Sequence, residues 1–218
     1  MLRLIIFDVF YGQRLAFVTL VRRLGWQQAT FVSVRVLWRL CFKHPFRGFN
    51  GRSLTSAEAC SQRQLAPALA LYDVLVNCLD SEPRAREVVQ AVVNAVAPAF
   101  LQFSIPQISA QRVVQQSSHQ REQYFTAICR RFFNARGRIL VRDERLEFRV
   151  HLCFFASYCR QLGYPQLAPV FCAADARYFV DQQPDVVFAR TQTLANGDAV
   201  CDFSFQLKQQ SSTDRSMQ

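Results

Sequence analysis

Between residues 190 and 202 the chain places Arg190, Thr193, Asp198, Cys201 and Asp202. A guanidinium holds a carboxylate in a two-pronged fork. A thiol can attack carbon, and a carboxylate can take up or return a proton. Asn196-Gly197, inside this stretch, predicts a two-residue type I′ hairpin turn, which needs positive φ at both central positions. Strands flanking that turn would set Arg190 opposite Phe203, Thr191 opposite Asp202 and Gln192 opposite Cys201. Alternation then puts Cys201, Phe203, Phe205 and Leu207 on one face and Asp202, Ser204 and Gln206 on the other. Arg190 and Cys201 would share the first face with Phe188, like the wall of a pocket. The plainer reading is a hairpin with a half-buried thiol and a snorkelling arginine.

Further groups lie just upstream. Val150 to Pro165 reads as a strand running into a short helix stopped by Gly163, and Pro165 to Phe179 as a second helix. Cys172 and Asp175 are three apart, near one helical face. They are either nucleophile and base or two neighbours without chemistry. His151 stands two residues before Cys153, so an unbroken strand would put both on one face. A Cys–His pair is a nucleophile arrangement; a structural or substrate-orienting His151 is the reading preferred here.

These segments together resemble the L-2-amino-thiazoline-4-carboxylic acid hydrolase family. The likeness rests on Cys153 after a strand, on Leu162-Gly-x-Pro-x-Leu-x-Pro-x-Phe-Cys172-x-x-Asp175, and on Arg190-x-x-Thr-Leu-x-x-Gly-Asp-x-x-Cys-Asp-Phe-x-Phe205. It covers residues 138 to 207 well and the helical half loosely; Phe154 and Phe155 depart from the pattern. The resemblance implies a substrate with a cyclic amidine-like ring bearing a carboxylate, and ring-opening hydrolysis at a carbon–nitrogen bond. On that implication Arg190 would clamp the carboxylate, with Thr193, Cys153, Asp198 and His151 also binding substrate. Cys172, Asp175, Cys201 and Asp202 would be the catalytic candidates, and the attacking group is either a thiolate or an activated water. No cofactor is implied.

Composition narrows the alternatives. The chain has 218 residues, half of them hydrophobic, twenty phenylalanines and a net charge of +10. This suits one domain over 1–207, with a helical segment at 1–137, a motif-bearing segment at 138–207 and a disordered tail at 208–218. The charge is concentrated early: nine lysines and arginines precede residue 61 against Asp8 and Glu58. Such a half invites nucleic-acid, membrane or anionic-substrate readings. No nucleic-acid motif is present, so no nucleic-acid partner is expected. The eight cysteines are scattered, with no CxxC pair, and Leu2 to Phe7 is too short an apolar run for a secretory leader. Both features point to a reducing cytoplasm. A metal site from Cys153, Cys172, Cys201 and His151 lacks a recognised spacing and is not expected.

The helical half must position these groups. Helices are predicted over Phe7–Leu24, closed by Gly25, and Trp26–Lys43, closed by His44-Pro45. The second carries a stripe of Phe31, Val34, Leu37, Trp38 and Cys41 expected to pack on its own domain. Arg35, Arg39 and Lys43 lie opposite, and contact with a membrane surface is the less favoured use of this helix. Ser56 is read as the cap of a helix to Leu79 that Pro67 kinks or divides. Ser81 caps another that ends at Pro98. Gln111–Asn134 reads as one helix ended by Gly137. Strands follow at Arg138–Val141 and Leu146–His151, with Asp143-Glu144 as the turn.

The fold expected is therefore α+β. A helical N-terminal half leads into a small antiparallel sheet of four strands, with two short helices between its hairpins and helices on one face. The leading function is a small-molecule hydrolase. Its rivals are a biosynthetic cyclase or isomerase acting on a larger hydrophobic molecule, and a basic membrane-surface ligand-binding module.

Overall fold

The computed structural model describes residues 7–49, 53–142 and 145–208. Two expectations, the Asp143-Glu144 turn and the tail beyond Lys208, lie outside the described residues. A short π-helical turn, Phe7–Gly12, leads into α1 (Gln13–Leu24), and Gly25 at φ 82° breaks the chain before α2 (Trp26–Phe42). Then come α3 (Ser56–Leu79), α4 (Glu82–Ser104), α5 (Ala110–Val114) and α6 (Ser118–Cys129). The second half runs β1 (Ala135–Arg142), β2 (Arg145–Cys153), α7 (Phe154–Gln161), α8 (Ala168–Gln182), β3 (Val186–Ala189) and β4 (Cys201–Leu207). The strands form one antiparallel sheet in the order β1-β2-β4-β3, so the fold is α+β.

Several helix boundaries differ from the sequence reading, each for a local reason. The cap of α3 is Thr55, not Ser56. Its hydroxyl accepts the Glu58 N–H while the Glu58 carboxylate accepts the Thr55 N–H at 2.9 Å, a reciprocal box that satisfies two end donors. Pro67 neither divides nor ends α3. Helix α4 runs through Pro98 to Ser104, because Phe100 and Leu101 beyond the proline are buried and packing holds the last turn. The helix expected over 111–134 is two, since a second box, Ser117 with Gln120, restarts the chain at α6. It stops at Cys129, well before Gly137.

Two hydrophobic cores result. One joins α1 to α4 with α7 and the first half of α8; Leu65, Leu69, Leu75, Val89 and Leu167 are fully buried in it. The other lies between the sheet and helices α5, α6 and the end of α8, around Phe125, Phe148, Phe179, Phe203 and Phe205. One face of the sheet is covered: Leu146, Phe148 and Val150 of β2 and Cys201, Phe203, Phe205 and Leu207 of β4 are buried, while the alternate residues are not. Helix α8 spans both cores. Its C-terminal neighbour Gln183 is buried and accepts the Ile108 N–H at 2.8 Å, and Asp185 accepts the Ala110 N–H at 2.9 Å, which ties the connector before α5 to the sheet edge.

Helix α2 packs by the face the sequence reading did not choose. Ala29 and Val32 are buried, and Val36 and Leu40 pack behind them. Both sides of α2 are apolar, and the side with smaller residues allows the closer approach to α3. The half-buried Arg39 pairs with Asp73 of α3, whose carboxylate also accepts from the Tyr164 hydroxyl at 2.7 and 2.8 Å. The aromatic stripe is left facing solvent.

Candidate functional site

The site begins with a fault in the β1–β2 ladder. Gly137 pairs with Val150 and Arg136 with Leu152, so His151 is an extra residue on β2. The bulge shifts the alternation by one. His151 and Leu152 are both exposed, and Cys153 returns to the buried face of Val150. His151 and Cys153 therefore do not share a face, contrary to the unbroken-strand expectation. Gly137, read from sequence as a helix stop, is what permits this. A Cβ there would sit 2.3 Å from the Arg149 carbonyl oxygen and 2.8 Å from the Val150 Cα.

Cys153 ends β2 and caps α7. Burial pushes its thiol up to about 11. The backbone N–H groups of Ala156 and Phe155, at the start of α7, pull the other way, although neither closes a full cap hydrogen bond on the sulfur. Asp175 and Cys201 push it up again. Asn134, whose carbonyl accepts the Phe154 N–H at 2.8 Å, reaches the sulfur with its side-chain amide at 4.0 Å. Sequence reading missed Asn134; its only signal is its place just before β1.

Helix α8 supplies Cys172 and Asp175 from one turn. Both are partly exposed. Burial raises the Asp175 carboxyl to about 7, and Arg190 opposes the rise. The Cys172 thiol is held far above its ordinary value, first by burial and then by Asp175 and Cys153; Arg190 lowers it. No backbone N–H relieves this sulfur, so Cys172 is a poorer thiolate than Cys153.

Arg190 follows β3. Its guanidinium lies over Phe203 at 5.6 Å and Phe188 at 6.0 Å and donates to the Cys172 carbonyl at 3.1 Å. Among the described residues it makes no ion pair, so most of its five donors remain for a ligand. Cys201 is buried on the same face; burial raises its thiol, while the Leu194 N–H at 3.2 Å and Arg190 lower it.

The chain between β3 and β4 is not a type I′ turn. Thr193 is buried and caps a single 3-10 turn, Leu194–Asn196, with its hydroxyl on the Asn196 N–H at 3.1 Å. Only Gly197 takes positive φ there, at 97°. The register is nonetheless the expected one, with Phe188 opposite Phe205 and Ala189 opposite Ser204. Asp198 and Asp202 brace this loop. Asp198 accepts the Thr193 N–H at 2.7 Å, and Asp202 accepts the N–H groups of Thr191 and Gln192 and the Thr191 hydroxyl. Burial alone would raise the Asp202 carboxyl, but these donors outweigh it and hold the carboxyl below its usual range.

The structure thus brings Cys153, Cys172, Asp175 and Cys201 close enough to interact electrostatically, with the Arg190 guanidinium beside Cys172, Asp175 and Cys201. Thr193, Asp198 and Asp202 stand behind them as loop supports, and His151 lies away from the group. Among the described residues no three His, Cys, Asp or Glu side chains are arranged to hold a metal ion. A separate cleft of about 510 Å3, between Tyr72 of α3, Glu82 to Gln90 of α4 and Gln166, shares no residue with the cluster.

Such a set of residues can seat a carboxylate on Arg190 and move a proton at neutral pH through Asp175. Comparison with curated proteins and with solved structures gives no match. A family model does match, over residues 61–205, which reaches further into the helical half than the motifs read from sequence and contains the whole cluster. By that match the chain belongs to the L-2-amino-thiazoline-4-carboxylic acid hydrolase family.

Proposed function

We propose that this protein is a hydrolase that opens the ring of a carboxylated cyclic amidine of the thiazoline type. The observation that supports this reading is the proximity of the largely unpaired Arg190 to an Asp175 carboxyl that burial raises to about 7. Arg190 takes the substrate carboxylate. Asp175, as carboxylate, faces the amidine carbon and removes a proton from an attacking water. The new carbon–oxygen bond forms as that proton moves to Asp175 and the amidine C=N π pair passes to its nitrogen, which later takes the hydroxyl proton as the carbonyl forms. The same proton then returns to the departing ring heteroatom as the ring bond breaks. Cys172 and Asp175 keep some of their surface open.

Water is preferred to a thiolate as the attacking group because burial raises every thiol of the cluster. Cys153, with the start of α7 behind it, is the thiol a covalent route would use. The test is turnover of L-2-amino-thiazoline-4-carboxylate by the purified protein, followed as gain of one water by mass spectrometry. Arg190→Ala should lower kcat/KM by about tenfold to a hundredfold, mostly through KM, since a charge-assisted hydrogen bond to substrate is lost. Retained turnover in Cys153→Ser supports the water route. An inactive wild type, or Arg190→Ala kinetics identical to wild type, defeats the reading.

A further inference from the structure

The region before the family match carries a surface of a different kind. Trp26, Phe31, Val34, Leu37, Trp38 and Phe42 of α2 are each 50–66 % exposed, and they fall on one side of the helix, away from buried Ala29 and Val32. A monomeric soluble protein seldom leaves so many large apolar side chains together in water. From Val9 to Ala57 the sequence has no aspartate or glutamate, while it has Arg14, Arg22, Arg23, Arg35, Arg39, Lys43, Arg47 and Arg52. Of these, Arg39 is spent on Asp73. Arg35 lies over the Phe31 ring and Lys43 over the Trp38 ring, both at 5.5 Å, so cations border the apolar face itself.

We propose that the outward face of α2 docks on an anionic lipid surface. The aromatic side chains would enter the headgroup boundary, and Arg35 and Lys43 would stay at the level of the lipid phosphates. Tryptophans suit that position because they have an apolar body and a polar tip. A second copy of the chain fits the face poorly. Stacking two such helices would oppose cations with no carboxylate on either side to meet them. The association is peripheral, since among the described residues no helix is long and apolar enough to cross a membrane.

The chain has two tryptophans, and both lie on this face, so the protein reports its own docking. The full-length protein is mixed with vesicles of phosphatidylglycerol and phosphatidylcholine, or of phosphatidylcholine alone. It should float with the anionic vesicles only, with a blue shift in tryptophan emission, and high salt should release it. Arg35→Gln and Lys43→Gln should each weaken partitioning about fivefold. Trp38→Glu should abolish flotation while circular dichroism and thermal unfolding stay as in wild type, because the side chain points outward. Failure of the wild type to float on anionic vesicles overturns the proposal, as does equal, salt-insensitive binding to neutral ones. So does a dimer in sedimentation that Trp38→Glu converts to monomer, which would assign the face to a second copy. Flotation does not depend on turnover, so its outcome is separate from that of the hydrolase reading.

Discussion

Around Cys153 the protein gathers a half-buried carboxylate and guanidinium beside thiols and phenylalanine rings, whereas along α2 it turns large apolar side chains out to water. The two regions depart from ordinary burial in opposite directions. At the cluster, burial raises the Asp175 carboxyl to about 7, and a nearby guanidinium only partly offsets it. On α2 the apolar face stays uncovered although a second apolar face of the same helix found a partner. The first departure lies inside the family-matching segment and the second before it.

The largest expected effect lies at the carboxyl. Asp175→Asn should lower kcat/KM by about 10²–10⁴-fold, the usual contribution of a positioned acid or base. Wild-type activity should rise through about pH 7 as Asp175 loses its proton, and the residual activity of the variant should lack that inflection. Stability should move the other way. The folded-state value of about 7 lies above the ordinary 3.8, so the neutral acid is favoured in the fold. Its contribution is complete below about pH 4 and is lost as pH rises through 7. Asp175→Asn, neutral throughout, should therefore unfold at a higher temperature relative to wild type above pH 7 than near pH 4. A variant with unchanged kinetics and no such trend would remove Asp175 from the proton chemistry.

Next in size is the bulge that delivers Cys153. Gly137→Ala puts a methyl group against the Arg149 carbonyl, a backbone atom that cannot swing aside. The expected loss is on the order of 2–4 kcal/mol, or a fall of roughly 4–16 °C in Tm for a chain of this length. Activity should fall only in step with the folded fraction, because the water route gives Cys153 no bond-making role. Wild-type Tm and turnover in Gly137→Ala would mean the bulge relaxes without moving the site.

That residue also shows what could be read in advance. The helices follow from 3.6-residue periodicity and their stop signals, and the register of β3 on β4 and the shared face of Arg190, Phe203 and Cys201 from two-residue alternation about Asn196-Gly197, all local in sequence. The shape of the 190–200 loop does not. Thr193, Asp198 and Asp202 accept four of its backbone N–H groups, and that competition with a type I′ turn is visible only once their side-chain oxygens are placed. Likewise Gly137 announces a break but not its kind, because the atom it must avoid belongs to β2. The face of His151 is hidden from the sequence for the same reason.

The smallest effect tests the other region. On α2 the sequence offers two apolar faces, and size alone favours Phe31 over Val32 as the core residue. Exposure reverses the order: Val32 is 2 % exposed and Phe31 54 %. Val32→Ala deletes two buried methyl groups and should cost about 1.5–2 kcal/mol, since each buried carbon contributes about 0.8 kcal/mol. Phe31→Ala removes a larger side chain yet should stay within about 0.5 kcal/mol, as surface substitutions do, and α2 even gains helix propensity. Urea unfolding of the two variants settles the order. If Phe31→Ala proves the more destabilising, the ring is buried in solution, by the rest of the chain or by a second copy. The outward face of α2 would then be an internal packing surface, and the contrast with the Cys153 cluster would disappear.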